Sequence, residues 1–583
     1  MKSSNTTSLY TLAVSASLFM LLCSANANSE EETRGLKQRV PVKPFFEEPR
    51  FKESQPDPLE TQKVLPSVPK DSKAADKISK SPKFEVSKIN VVGSTIFSAE
   101  ELSSMVASYE GRVVSIDELQ SLRHNLSLKY FQRGYVNSGV IIPDQDIKNG
   151  VVVFKVIEGK MSNLNLSGNE ELFDSYILDR INLGIAEPLN VNELQKALRN
   201  LQQNRLIKKI NAQLKPAEEL GQAELEVNVT EAQSKALTIS VDNYRSPSVG
   251  AEEITLAYTD ANLIGFGDAL SVSASKSEGL TDFGLNYRMP LTPNDTSLTI
   301  FYSFSDSEVI EEPFDQLNIE SESNNYGFTF AMPVYKENGS SLDLSFGTTL
   351  KDSDSFLLGE PFSFSAGAIE GESKTTSVEI GANFVHREAA EVYALSVNVR
   401  KGVDAFDSNI NDNSNIPDSD FLAFLGQGQY ARLFTELPGS QIIFQTAFQK
   451  SLDPLLSLEK FSVGGHGSVR GYRENQLVRD NGITASVEFR YAPFINDSGV
   501  DPYNFQIAPF IDWGRAWDED IPSQDDESVS VYSAGIGFLW QPIPALNMEL
   551  YWGEALEDEV KSDKGDDLQD DGIHFSLAYN VGF

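Results

Sequence analysis

Residues 297–339 read SLTIFYSFSDSEVIEEPFDQLNIESESNNYGFTFAMPVYKENG. Leu298, Ile300, Tyr302 and Phe304 fall on one parity, with Ser297, Thr299 and Ser303 on the other. After the acidic run EVIEEPFDQLNIES, the pattern returns with Tyr326, Phe328, Phe330, Met332 and Val334, then stops at the short turn ENG. Successive side chains of a strand point to opposite faces, so a period of two predicts two strands, each apolar on one face and polar on the other. A soluble sandwich would alternate as well. The links decide: one is long and acidic, the other only as long as a tight turn.

The same reading holds from Gln233 to Phe583. Ile483, Ala485, Val487, Phe489 and Tyr491 alternate with Thr484, Ser486, Glu488 and Arg490. The last segment alternates without a break from Ile573 to Phe583. About sixteen strands can be counted. Short links (IGFG, TPN, ENG, PG, NDSGVDP, IPA) take turns with links that are mostly long and acidic, such as DAFDSNINDNSNIPDSD at 404–420. Short turns on one rim and long loops on the other predict a transmembrane antiparallel β-barrel, whose closure leaves no unpaired edge. The 404–420 loop reads as a solvated acidic surface, with Ca²⁺ binding as the alternative reading of its oxygen ligands.

Residues 84–232 follow another rule. FEVSKINVVG predicts a strand, and Ser98 with Glu101 opens a helix carrying Leu102, Met105 and Val106. Ser115 with Glu118 opens a second helix with Leu119, Leu122 and Leu126, which stops at Gly134. YVNSGVIIP and VVVFKVIEG predict two further strands. The order then repeats: a strand around Leu164, a helix near Leu172 to Ile181, Asn190 and Glu193 ahead of Leu194, then strands around Ile210 and AELEVNV. Two β-α-α-β-β units, at 84–158 and 159–232, predict a duplicated small α/β domain.

Lys2, an apolar run from Leu9 to Leu22 and Ala25-Asn26-Ala27 predict a signal peptide over 1–27. A lipoprotein signal acylated at Cys23 is the competing reading, and bulky Leu22 argues against it. Residues 28–83 read as a proline-rich linker with room for one short helix. With 48 basic against 85 acidic residues, the formal charge of -37 excludes a nucleic-acid partner. One cysteine and four histidines exclude a disulfide framework and a Cys/His zinc site. No G-x-S-x-G and no H-E-x-x-H is present, so no catalytic residues and no cofactor are predicted.

One link stands apart. GGHGSVRGYREN, residues 464–475, lies in the connection 453–480 between the eleventh and twelfth predicted strands. It lacks the G-x-x-x-x-G-K-[ST] of a phosphate loop. It is either a surface loop without a role or a loop folded back into the barrel. An arginine inside a confined lumen needs an inward carboxylate. In YNFQIAPFIDWGRAW, parity puts Tyr503, Phe505, Ile507, Ile511 and Trp513 toward lipid, and Asn504, Gln506, Phe510, Asp512 and Gly514 inward.

SVGGHGSVRGY (462–472), PFIDWGRAW (509–517) and GYVNSGVIIPDQDIKNGVVVFKVIEGK (134–160) resemble the two-partner-secretion outer-membrane transporters, the hemolysin-activator and filamentous-haemagglutinin-transporter type (TpsB). The resemblance covers roughly residue 84 to the C-terminus, and the paired units resemble that family's polypeptide-transport-associated (POTRA) domains. It implies a lumen-loop motif of Gly464, Gly465, Val469, Arg470, Gly471 and Tyr472, whose arginine pairs with the strand motif Phe510, Asp512 and Gly514. It also implies a C-terminal barrel-assembly signal that includes Tyr579 and Phe583. The implied place is the outer membrane of a Gram-negative cell, in contact with its lipid, with the POTRA domains in the periplasm. The implied partners are a secreted TpsA-type exoprotein (adhesin or hemolysin-like) and, during biogenesis, the barrel assembly machinery and periplasmic chaperones. The alternatives are an outer-membrane assembly factor of the same superfamily and a passive channel. The family's long amphipathic plug helix is not matched, since SEEETRGLKQRV is short and is followed at once by proline.

Overall fold

The computed structural model describes residues 82–337, 339–413, 416–496, 501–519, 528–557 and 567–583. The predicted signal peptide, nearly all of the linker and its short helix lie outside the described residues.

In the first unit, β1 (Lys83–Val86) and β2 (Lys88–Val92) replace the single strand expected for FEVSKINVVG. The break is at Ser87, whose N–H donates to the Gly150 carbonyl at 2.8 Å. Helix α1 (Ala99–Val106) and helix α2 (Ile116–Gln132) both begin in complete capping boxes, Ser98 with Glu101 and Ser115 with Glu118. Between them lies β3 (Arg112–Ser115), which pairs with β1 and was too short to read from the sequence. β4 is confined to Gly139–Ile141 because residues 135–138 form turns, and β5 (Val151–Ile157) is the central strand. β5 runs parallel to β2 and antiparallel to β4. Phe154 of β5 and Leu122 and Leu126 of α2 are buried together in the core between sheet and helices.

The second unit repeats the scheme with β6 (Lys160–Ser167), α3 (Asp174–Asn182), α4 (Val191–Gln202), β7 (Ile207–Pro216) and β8 (Gln222–Glu231). Here β8 is central, parallel to β6 and antiparallel to β7. The shared strand order is what a duplication leaves behind. The units are tied by Val191 N–H to the Gly134 carbonyl at 2.9 Å and by Asn190 Nδ2 to the Arg133 carbonyl at 3.1 Å. The second unit then docks on the short-turn rim of the barrel. Phe173 N–H donates to the Gly265 carbonyl at 2.9 Å, and the Arg180 guanidinium donates to Asp295 at 2.8 Å. Gly267 has φ +71°, and a Cβ there would lie 2.5 Å from the Tyr176 ring.

Sixteen long strands close into one antiparallel barrel, in which Lys235–Asp242 pairs both with Glu253–Asp260 and with the final strand Ile573–Gly582. A two-residue strand, Glu360–Pro361, adds to the ladder inside one long loop. The long rim has one exception to its rule, the three-residue link 277–279. Strands Ile319–Glu337 and Ser340–Leu357, of 19 and 18 residues, exceed the roughly ten a bilayer needs and extend the wall beyond it. Large apolar side chains point outward: Ile380 is 63% exposed and Ile511 66%, with Phe328, Phe346 and Trp552 among many others on the same surface. Inside, Asp512 is fully buried, and Glu488 and Arg490 nearly so. An apolar exterior around a polar interior is the pattern of a lipid-embedded barrel. Among the described residues, no helix is long and apolar enough to cross a membrane.

Candidate functional site: the loop inside the barrel

The connection between strands Gln441–Ser451 and Asn481–Arg490 contains a single helical turn, Ser457–Glu459, then a small hairpin pairing Phe461–Val463 with Leu477–Arg479. The hairpin folds inward. Val463, Val469, Tyr472 and Leu477 form an apolar cluster with Ala516, Val531 and Ala555 of the wall. That contact is close because both sides give up side chains. Gly471, at φ +96°, sits where a Cβ would lie 2.8 Å from the Gly553 carbonyl, and a Cβ on Gly553 would lie 2.9 Å from the loop backbone. A Cβ on Gly514 would meet Val463 at 2.4 Å and Val469 at 2.9 Å. Gly464 and Gly465, at φ +112° and +89°, turn the chain at the hairpin tip, where most residues are strained.

Arg470 crosses from the tip to the wall. Its Nε and Nη2 donate to the two Asp512 carboxylate oxygens at 2.8 and 2.9 Å, and its backbone N–H donates to Oδ2 at 3.0 Å. Nη1 donates to Glu488, and Nη2 also donates to Ser486 Oγ at 3.1 Å. The guanidinium lies over the Phe510 ring at 3.6 Å and near the Tyr551 ring at 4.9 Å. Glu488 is shared with Arg490, whose Nε donates to it at 2.6 Å. Such bidentate, fully satisfied pairing allows these charges to be buried, and removal of one partner costs about 3–5 kcal/mol. The Tyr472 hydroxyl donates to the Tyr532 carbonyl at 3.1 Å and accepts the Glu557 N–H at 3.1 Å.

The structure therefore brings together Gly464, Gly465, Val469, Arg470, Gly471 and Tyr472 with Phe510, Asp512 and Gly514. Tyr579 and Phe583 lie elsewhere, on the closing strand. Tyr579 is opposite Ile239 and Leu546, and Phe583 N–H donates to the Lys235 carbonyl at 3.0 Å. Ser486, Glu488, Arg490, Tyr551 and Gly553 were not assigned to the site from sequence. A signal existed for two of them, because parity places both charges of the twelfth strand inward. Among the described residues, one carboxylate group has metal-like spacing, Asp352, Asp354 and Glu372, and Lys374 already bonds to Glu372 there. No such cluster involves the described part of 404–420.

A family model described as haemolysin secretion/activation protein ShlB/FhaC/HecB matches residues 221–538, more than half of the chain, and one described as POTRA domain, ShlB-type, matches residues 84–159. The chain is similar to the outer membrane transporter CdiB of Escherichia coli, 22% identical over 443 residues, covering 73% of this chain and 72% of that protein. It is also similar to the heme/hemopexin transporter protein HuxB of Haemophilus influenzae strain 86-028NP, 21% identical over 466 residues, covering 76% and 80%. The solved structure of CdiB from Escherichia coli shares the fold with a TM-score of 0.63 at 20% identity, covering 90% of this chain and 94% of that one. With a closed barrel, α/β units on its short-turn rim and these matches, the chain belongs to the ShlB/FhaC/HecB family of haemolysin secretion/activation proteins and is an outer-membrane exoprotein transporter with periplasmic POTRA domains.

Proposed function

We propose that the chain exports one large TpsA-type exoprotein, an adhesin or hemolysin-like protein, in extended form, and that the 453–480 loop is the element that clears its path. The observation that carries this reading is the Arg470–Asp512–Glu488 web, which fastens a folded hairpin inside the barrel through carboxylate side chains of the wall. A barrel of sixteen strands is wide enough for an extended chain once its contents move. The POTRA units supply capture. β7 is an edge strand of its sheet, and the Gln202 side chain covers that edge at Lys208 and Ile210. From Asn211 onward, β7 can accept a strand of the exoprotein by β-augmentation. Folding of the exoprotein outside the cell gives direction without ATP. The barrel assembly machinery and periplasmic chaperones deliver the transporter, reading Tyr579 and Phe583 on its last strand.

Arg470→Ala or Asp512→Ala is expected to lower secretion at least about tenfold while the barrel stays in the membrane. The pair Arg470→Asp with Asp512→Arg should recover only part of it, because the new loop carboxylate would face Glu488. Exoprotein in the culture medium is the readout. Wild-type secretion from either single variant removes the loop from the mechanism.

A further inference from the structure

The loop is held at a second place. Glu459, at the end of the helical turn Ser457–Glu459, has its side chain 1% exposed against the opposite flank of the connection from Arg470. Its Oε1 lies 3.0 Å from Lys351 Nζ and accepts the Thr375 hydroxyl at 2.9 Å, and its Oε2 accepts Arg400 Nη1 at 3.0 Å. These partners come from three neighbouring wall strands, Ser340–Leu357, Glu372–Arg387 and Glu391–Gly402. Lys351 also donates to the Leu458 carbonyl at 2.7 Å, and Gln449 Nε2 donates to the Glu459 carbonyl at 2.8 Å. Arg400 is shared with Glu379, 2.8 Å away.

Arg473 adds a further hold, to Glu311 at 2.6 Å and to Asp570 at 2.5 Å, while the Arg470 and Glu459 holds have opposite polarity. At the tip, the loop contributes a cation, and Arg470 with Arg490 balances Asp512 with Glu488. At the stem, it contributes an anion, and Glu459 with Glu379 balances Lys351 with Arg400. Each set of ion-paired groups is neutral only while the loop is inside. Withdrawal leaves the tip site with one uncompensated negative charge and the stem site with one uncompensated positive charge, both on the wall of a bore that has then filled with water.

We propose that Glu459 is a second latch of the lumen loop, a positioning residue whose pairing with Lys351 and Arg400 sets how often the loop leaves the bore. The inference rests on the loop being the element that moves, and it adds a control point remote from the Arg470 web. The sign follows from desolvation. An unpaired charge at the stem is buried while the loop is in and hydrated once it is out, so removing either partner favours the open state. Removing both restores neutrality, because Arg400 and Glu379 still pair with each other.

The test is single-channel recording from the purified full chain in planar bilayers, with heat-modifiable gel migration confirming a folded barrel. Glu459→Gln and Lys351→Gln should each raise the fraction of time spent at high conductance about tenfold or more. The double variant should fall back to within about threefold of wild type, a non-additivity that a merely structural defect would not produce. Unchanged opening in Glu459→Gln, or a double variant equal to the two single effects combined, overturns the latch. Should Glu459→Gln fail to insert, Lys351→Gln carries the same test from the wall side, and wild-type opening there overturns it equally. Arg470→Ala recorded alongside separates the two ideas. If it opens the channel and the stem variants do not, only the latch fails; if none of them opens it, the moving loop fails as well.

Discussion

The POTRA units and the barrel solve the same problem in opposite senses. In the first unit, Phe154, Val114 and Leu126 are buried and the surface is charged; in the barrel, Ile380, Ile511 and Trp552 face outward while Asp512, Glu488 and Arg470 are enclosed. Both arrangements put apolar atoms out of water, one against protein and the other against lipid. Buried charges then need partners, which Arg470, Asp512 and Glu488 find because a loop comes home to the wall.

Substitutions can break that contrast, and the largest effect is expected in the water-soluble core. Phe154→Ala should cost about 3–5 kcal/mol and loosen the first unit. Limited proteolysis should cut residues 82–158 readily while the barrel keeps its heat-modifiable migration. Next comes the lipid face. Ile380→Arg, at the middle of its strand, should cost about 2–4 kcal/mol and deplete folded barrel from the membrane. The same change at Val113, 58% exposed but facing water, should stay within about 0.5 kcal/mol by urea unfolding. A smaller effect than that at Ile380 sharpens the local rule. Ser115→Ala removes the cap of α2 and should cost about 1 kcal/mol. Glu118, bonded by the Ser115 N–H and by Arg112, has its carboxyl held down to about 2. Because that value lies below the one in the unfolded chain, its contribution is complete at neutral pH and is lost as acid takes the solution down through it.

Much of this architecture could be read from residue order because it depends on near neighbours. Alternation gave the strands around Tyr326 and Val487, and capping boxes placed the starts of both helices in the first unit. The split of FEVSKINVVG at Ser87 was not legible, since it depends on Gly150, far along the chain. Parity pointed Asp512 inward, and the resemblance paired it with Arg470. Parity pointed Glu488 inward too, but nothing local could show that it pairs with Arg470, or that Glu459 meets Lys351 and Arg400, because those partners lie about 18 to 108 residues away and meet only when the cylinder closes.

The seam of that cylinder has a consequence for the order of assembly. Every other ladder joins strands that are consecutive around the wall and along the chain, but the last one joins the two ends: the Thr238 hydroxyl donates to Asn580 across 342 residues at 2.6 Å. The other long strands are already paired on both sides within the wall, so this junction waits for Ile573–Gly582 to arrive. A chain ending before Ile573 would keep fifteen strands and expose two raw backbone edges to the bilayer, a state the membrane does not tolerate. The transporter thus commits to its shape only when Ile573–Gly582 takes its place beside Lys235–Asp242.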